Sequence, residues 1–314
     1  MRVDNFSRRA FLKGATAFGA VAMTGLCPEL ARAGALPNPV GYATISWPDG
    51  KIEHALATIS HLGFKGVQML GFVREKYAGA RAEELGDKLT SLRLQPVTLS
   101  CSDVDLKPED PRDETGQIRS YAAFLQRLGG KYLQVTDGGD PRKSYSPETI
   151  LELGARMNQM GKLAQDSGLT LGYHPHFGTI GETREGLARV LEATDPRYVK
   201  LIADVGHLTL GGADPAEVIR TYHERLIFLH FKDVRPDAME RAGRGRDSAR
   251  RGKYTFCEIG TGAVDFPAIV QAFRETQFAG WVIVELDAYQ HGPGGPDASA
   301  QNNKDAVLKL GFAM

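Results

Sequence analysis

Four stretches of the 314-residue chain carry side chains that bind cations and move protons. Tyr173–Thr179 reads YHPHFGT and holds His174 and His176. The run LIADVGH brings Asp204 and, three residues on, His207. LIFLHFKD brings His230, Lys232 and Asp233, and WVIVELD brings Glu285 and Asp287. Two imidazoles with two carboxylates form a borderline ligand set, better suited to Mn²⁺, Co²⁺, Zn²⁺ or Fe²⁺ than to Ca²⁺. The same groups act as general acids and bases near neutral pH. Each stands at the end of a short apolar run, and in α/β proteins the carboxyl ends of strands are where chemistry sits.

Strand side chains alternate between faces. His174 and His176 therefore share a face, as do Phe228, His230 and Lys232, and Trp281, Ile283, Glu285 and Asp287. With Asp204, His230 and Glu285 pointing inward, three consecutive strands each supply one group, and the preceding strand adds His174. Neighbouring strands lie ~4.8 Å apart, so these four can close on one divalent ion. Ordinary alternatives stand beside this reading. Asp204 suits a helix cap, His230 a hydrogen-bonded core histidine, Glu285 a surface carboxylate, and His174 and His176 plain mouth residues. Lys232 and Asp233 can pair with each other. Which of His174 and His176 would be the ligand is open.

The elements that must position these groups alternate along the chain. Strands are expected at Val40–Ile45, Lys65–Leu70, Leu94–Cys101, Lys131–Thr136, Leu169–His174, Val199–Ala203, Leu226–Leu229 and Trp281–Val284. Helices are expected at Lys51–Leu62, Arg81–Leu92, Glu114–Leu128, Pro147–Ser167, Glu182–Thr194, Asp214–His223, Asp265–Thr276 and Asn302–Leu310. Ser146 and Asp214 suit N-caps, with Pro147 and Pro215 at the first helical position. Eight alternations indicate a single closed (β/α)8 barrel, a TIM barrel. The alternative, a doubly wound open sheet, would show a Gly-rich phosphate turn after its first strand, and Ser46–Gly50 is not one. Gln68, Thr136 and Asp137, at strand ends, are candidate contacts for substrate hydroxyls. Residues 235–253 form a long basic loop that reads as a lid or a solvated insertion.

The first 33 residues read as an export signal. Ser7–Lys13 is a twin-arginine motif, an apolar run follows to Leu26, and Ala31-Arg32-Ala33 suits cleavage. The barrel is then expected over 34–314 and its location in the periplasm. No later segment is apolar for long enough to span a bilayer. The 38 basic and 38 acidic residues balance to zero net charge, which argues against a nucleic-acid surface spanning the whole protein and leaves room for a local basic patch. Cys101 and Cys257 are too few for a disulfide framework and are expected to be buried and inert.

DVGH (Asp204–His207), HFKD (His230–Asp233), Glu258–Phe266 with its GAVDF ending, and VIVELD together resemble the xylose-isomerase-like barrel family of sugar isomerases and epimerases. YHPHFGT, with HFKDVR and GAVDF, resembles its inosose dehydratase branch. The resemblance implies a divalent metal holding a carbonyl and a neighbouring hydroxyl of a sugar or polyol, with an enediolate stabilised. By position, Asp204, His230 and Glu285 match the family's metal ligands, and His207 matches a substrate-contacting histidine. His174 stands where many epimerases carry a glutamate. With one glutamate of the pair missing, β-elimination from a keto sugar, keto-glycoside or inosose fits. Glu285 would be ligand and base, and His176, His207 or Lys232 the acid or oxygen donor. A histidine in place of a glutamate leaves epimerisation open, and a non-catalytic carbohydrate-binding protein is the reading from another class. The expected partner is a small carbohydrate or cyclitol, with no nucleic acid and no stable membrane association; homo-oligomer formation is left open.

Overall fold

The computed structural model describes residues 35–106, 113–140, 143–243, 255–287 and 290–314. The twin-arginine motif and residues 244–254 of the basic stretch lie outside that set.

Among the described residues there are ten strands: β1 (Val40–Ala43), β2 (Gly66–Leu70), β3 (Gln95–Val104), β4 (Tyr132–Asp137), β5 (Thr170–Tyr173), β6 (Val199–Asp204), β7 (Leu226–Phe231), β8 (Asp233–Val234), β9 (Phe256–Cys257) and β10 (Trp281–Val284). Eight of them close a barrel in the order β1-β10-β7-β6-β5-β4-β3-β2. All its pairings are parallel. Parallel neighbours need crossovers, and the amphipathic segments between strands supply them as helices. The caps expected from sequence are made. Ser146 Oγ accepts from the Thr149 amide at 3.3 Å, and Asp214 Oδ1 from that of Ala216 at 2.8 Å. Asp265 Oδ1 does the same for Ala268, at 3.0 Å.

The lower barrel is filled by side chains. Ala43, Val97, Ile202, Phe228, Trp281 and Ile283 form one buried cluster, with Ile45, Tyr132 and Ile227 packed against it. Gly66 makes room for this floor. A Cβ there would lie 2.5 Å from Val97 Cγ2 and 2.6 Å from the Trp281 ring, closer than carbon atoms pack.

Several boundaries differ from the sequence reading. β7 runs on to Phe231 and β6 to Asp204, because the barrel wall continues where its lining turns polar. β3 extends to Val104. The last helix begins at Gly295 rather than Asn302, since Pro296 fits a first helical turn. Short helices at Phe72–Lys76, Val205–Leu210 and Pro236–Gly243 occupy stretches read as loop. β8 and β9 form an antiparallel ribbon that brackets the basic stretch. Cys101 and Cys257 are free and half-buried rather than buried.

Candidate metal centre at the barrel mouth

Asp204 is the last residue of β6 and the N-cap of Val205–Leu210, and its two oxygens do different work. Oδ1 accepts from the amides of Gly206 at 2.8 Å and His207 at 2.9 Å. Oδ2 is buried and has no hydrogen-bond partner among the described residues. The capping alternative for Asp204 is thus true of one oxygen and leaves the other for a ligand.

Register sets the facing group. Asp204 pairs with His230 across β6 and β7, and His230 with Ile283 across β7 and β10. His230 Nδ1, also without a hydrogen-bond partner, lies 3.7 Å from Asp204 Oδ2. His230 Nε2 meets Gln68 Oε1 at 2.5 Å. The Gln68 amide nitrogen donates to Glu285 Oε2 and to Ser100 Oγ, both at 3.0 Å. Glu285 Oε1 accepts from Lys232 Nζ at 2.6 Å. Lys232 also stands 3.6 Å from Asp204 Oδ2 and 3.7 Å from Asp287 Oδ1. Gln68, Asp204, His207, His230, Lys232 and Glu285 are all buried.

His174 follows β5, with its amide donating to the Val135 carbonyl at 2.8 Å. Its ring meets that of His230 edge-on at 4.8 Å. Two groups of ligand-type atoms lie within 4.8 Å of one another among the described residues: His174, Asp204 and His230, and His174, His176 and His207. The first is better equipped for a cation, because Asp204 Oδ2, His230 Nδ1 and His174 Nδ1 are buried without partners. In the second, His207 Nδ1 is also buried without a partner, but His207 Nε2 accepts from Lys232 at 3.3 Å, and His176 Nδ1 is taken by the Phe177 carbonyl at 2.8 Å. This favours His174 over His176 as the histidine of the ligand set. Glu285 falls in neither group. Its Oε2 lies 3.6 Å from His230 Nε2, the nitrogen turned away from Asp204.

Burial dominates the electrostatics. It pushes the His174 and His207 imidazoles well below their ordinary range, with neighbouring histidines adding to the effect, and takes His230 down to about 4. Burial lifts Asp204 to about 7 although Lys232 opposes it. Lys232 goes the other way: burial lowers it, but Asp287, Glu285 and Asp204 hold the ammonium above its ordinary range. For Glu285, burial raises the carboxyl, but Lys232, His230 and His174 more than offset this. Neutral imidazoles and a charged lysine among carboxylates are the result. Neutral imidazole is the ligand form of histidine.

Three expectations need correction. Lys232 pairs with Glu285, not with Asp233. Asp233 instead accepts backbone N–H bonds from Val234, Gly260, Gly262 and Val264 at 2.8–3.0 Å and so orders the Gly260–Val264 turn. Asp137 is not a free contact for substrate hydroxyls. Its carboxylate accepts from the Tyr173 hydroxyl at 2.7 Å and from the amides of Gly139 and Ile180 at 3.0 and 2.8 Å. Gln68 is spent on His230, Glu285 and Ser100, whereas Thr136 Oγ1 is left without a partner.

Phe256 was not expected at the site. β9 brings its ring edge-on to His207 at 5.0 Å and under the Lys232 ammonium at 4.6 Å. The surrounding residues follow no strand alternation long enough to mark it.

The family profile described as xylose isomerase-like TIM barrel matches residues 56–308. The chain belongs to that family. It is 30% identical over 279 residues to an inosose dehydratase of Geobacillus kaustophilus (strain HTA426), covering 80% of this chain and 88% of that one. An inosose dehydratase of Clostridium botulinum (strain Alaska E43 / Type E3) is 27% identical over 268 residues, covering 79% and 88%. Among solved structures, the IOLI protein with a binding zinc atom superposes with a TM-score of 0.68 at 16% identity, over 88% of this chain and all of that one. An L-ribulose 3-epimerase does so with 0.69 at 17% identity, over 87% and 94%. At such identities the superpositions speak for the fold.

Proposed function

We propose that this member of a family of sugar-acting dehydratases and isomerases is a divalent-metal-dependent lyase. It would remove water, or another β-substituent, from a keto sugar, keto-glycoside or inosose. The observation that carries the reading is the convergence of Asp204 Oδ2, His230 Nδ1 and His174, buried and unpartnered, beside a lysine held by carboxylates. The inosose dehydratase relatives support the substrate class.

His174, Asp204 and His230 would hold the ion; Glu285, whose Oε1 accepts from Lys232 and Oε2 from Gln68, stands outside that group. A divalent ion there supplies a Lewis acid for the carbonyl oxygen, of the kind Mn²⁺, Co²⁺, Zn²⁺ or Fe²⁺ provides. Lys232 and His207, joined at 3.3 Å, present donors to a substrate oxygen. Glu285 is a weak proton acceptor while Lys232 holds Oε1 at 2.6 Å, so the base role passes from Glu285 to His176. That ring is exposed at the mouth, and its Nδ1 is engaged by the Phe177 carbonyl, leaving Nε2 to accept. In the elimination, the base takes the proton from the carbon next to the carbonyl. A hydroxyl leaves the following carbon with a proton returned by the acid, so the net loss is one water.

Proton NMR in D₂O tests this, with Mn²⁺- or Co²⁺-loaded enzyme, keto-inositols and 3-keto-glycosides, and a metal-stripped control. Appearance of an enone, or its hydrate, with loss of the β-substituent is the expected result. Deuterium entering beside the carbonyl with the skeleton intact would make the enzyme an epimerase or isomerase acting through the same groups.

We further propose that the enzyme works in the periplasm after twin-arginine export, on the strength of Ser7–Lys13 and Ala31–Ala33. Cell fractionation of a strain with Arg8 and Arg9 changed to lysine checks it, the protein being expected to stay in the cytoplasm.

A further inference from the structure

We propose that Gln68 is a positioning residue that decides which nitrogen of His230 is offered to the cation. The inference rests on the metal-site reading above and deepens it.

Lys232 Nζ lies 2.6 Å from Glu285 Oε1, so the ammonium makes an ionised carboxylate the stable partner. A carboxylate only accepts hydrogen bonds. Glu285 Oε2 is 3.0 Å from one end of the Gln68 amide, and that end must be the NH₂. The reverse orientation would set a carbonyl oxygen against a carboxylate oxygen. The same NH₂ has a second acceptor in Ser100 Oγ at 3.0 Å. The carbonyl end of Gln68 is therefore the end that faces His230 Nε2 at 2.5 Å.

A carbonyl cannot donate, so the proton of that contact belongs to His230 Nε2. In the neutral ring Nδ1 then keeps its lone pair. Nδ1 is the nitrogen that looks at Asp204 Oδ2 across 3.7 Å, and neither atom has a hydrogen-bond partner. Gln68 thus ties proton placement on His230 to the charge of Glu285, which follows the adjoining strand β10. It also fixes the ring plane, because a rotated imidazole would lose the Nε2 contact. Groups that orient a ligand histidine in this way typically contribute about 10–100-fold in metal affinity.

Two measurements test the assignment. The first uses the full chain, metal-stripped and labelled with ¹⁵N-histidine. Long-range ¹H–¹⁵N NMR reads the protonation of each ring nitrogen, and a His230→Asn variant identifies the His230 signals. We expect Nε2 protonated, Nδ1 bare, and an Nε2 proton far downfield that disappears in Gln68→Met. A protonated Nδ1 overturns the proposal. The second titrates Co²⁺ by its visible spectrum. Gln68→Met is expected to bind about 10–100-fold more weakly than the unaltered protein; affinity within about twofold in a folded variant overturns the proposal. Should Gln68→Met not fold, the tautomer measured in the unaltered chain decides. If Asp204→Asn binds Co²⁺ as well as the unaltered protein, it is the metal-site reading that fails. The NMR result then still answers for Gln68.

Discussion

Asp204 Oδ2 and His230 Nδ1 face each other 3.7 Å apart, both buried and both without a hydrogen-bond partner. Leaving a buried polar atom unpaired costs about 1–3 kcal/mol. Two such atoms aimed at each other make sense as a pair of lone pairs awaiting one cation.

The divided labour of Asp204 predicts different outcomes for two substitutions. Asp204→Asn keeps a good N-cap and removes the charge, so the melting temperature should change little while bound metal is lost. Asp204→Ala should lose metal and also about 0.5–2 kcal/mol of stability with the cap. Metal analysis and urea titrations on both proteins separate the two roles. Full metal content in Asp204→Asn would remove it from the ligand set.

Lys232→Met should destabilise the protein by about 3–5 kcal/mol, because it strands a buried Glu285 carboxylate. The double variant Lys232→Met, Glu285→Gln should recover much of that loss. Denaturant unfolding of the two single variants and the double one measures the coupling. Additive losses would mean that the 2.6 Å contact carries little energy.

His176→Asn should lower kcat by at least ~10²-fold, the usual scale of a general base, while metal content stays full. Glu285→Gln should cost metal affinity and activity together. A near-normal kcat in His176→Asn would return the base role to Glu285.

Acid should destabilise the metal-stripped protein between about pH 6.5 and 4. An unfolded histidine binds its proton near pH 6.5. Folded His230 does so only near 4, and His174 and His207 are pushed well below their ordinary range. Their contribution is complete above pH 6.5 and is lost as the pH falls. Asp204 acts in the opposite sense, since its folded carboxyl binds a proton near 7 and its unfolded one near 4. The lowered imidazoles outnumber the one raised carboxyl, so the net effect is a loss of stability as the pH falls. Unfolding free energies measured across this range check the sign. Stability flat or rising toward pH 4 would contradict it.

The barrel was legible because its signals are local. Apolar runs marked the eight wall strands, and Ser146 and Asp214 marked helix starts as the caps they prove to be. His174, Asp204, His230 and Glu285 could be brought to one mouth by strand alternation alone. Which atoms meet was not legible. Whether Glu285 contacts a metal or Lys232 depends on side-chain torsions, and Asp137 was already committed to Tyr173 on the neighbouring strand. Phe256 reaches the site through a two-residue ribbon too short to leave a periodic trace. Gln68 looked like one of several polar mouth residues until its three partners were known.

The buried cluster of Val97, Phe228, Trp281 and their neighbours packs the barrel two residues back along β6 and β7 from Asp204 and His230. A sugar reaching Asp204 and His230 has packed side chains behind it, so a molecule of product must clear the same place before the next substrate can settle. Product should therefore compete directly with substrate, and the pace of departure sets an upper bound on turnover whatever the speed of the bond-breaking step.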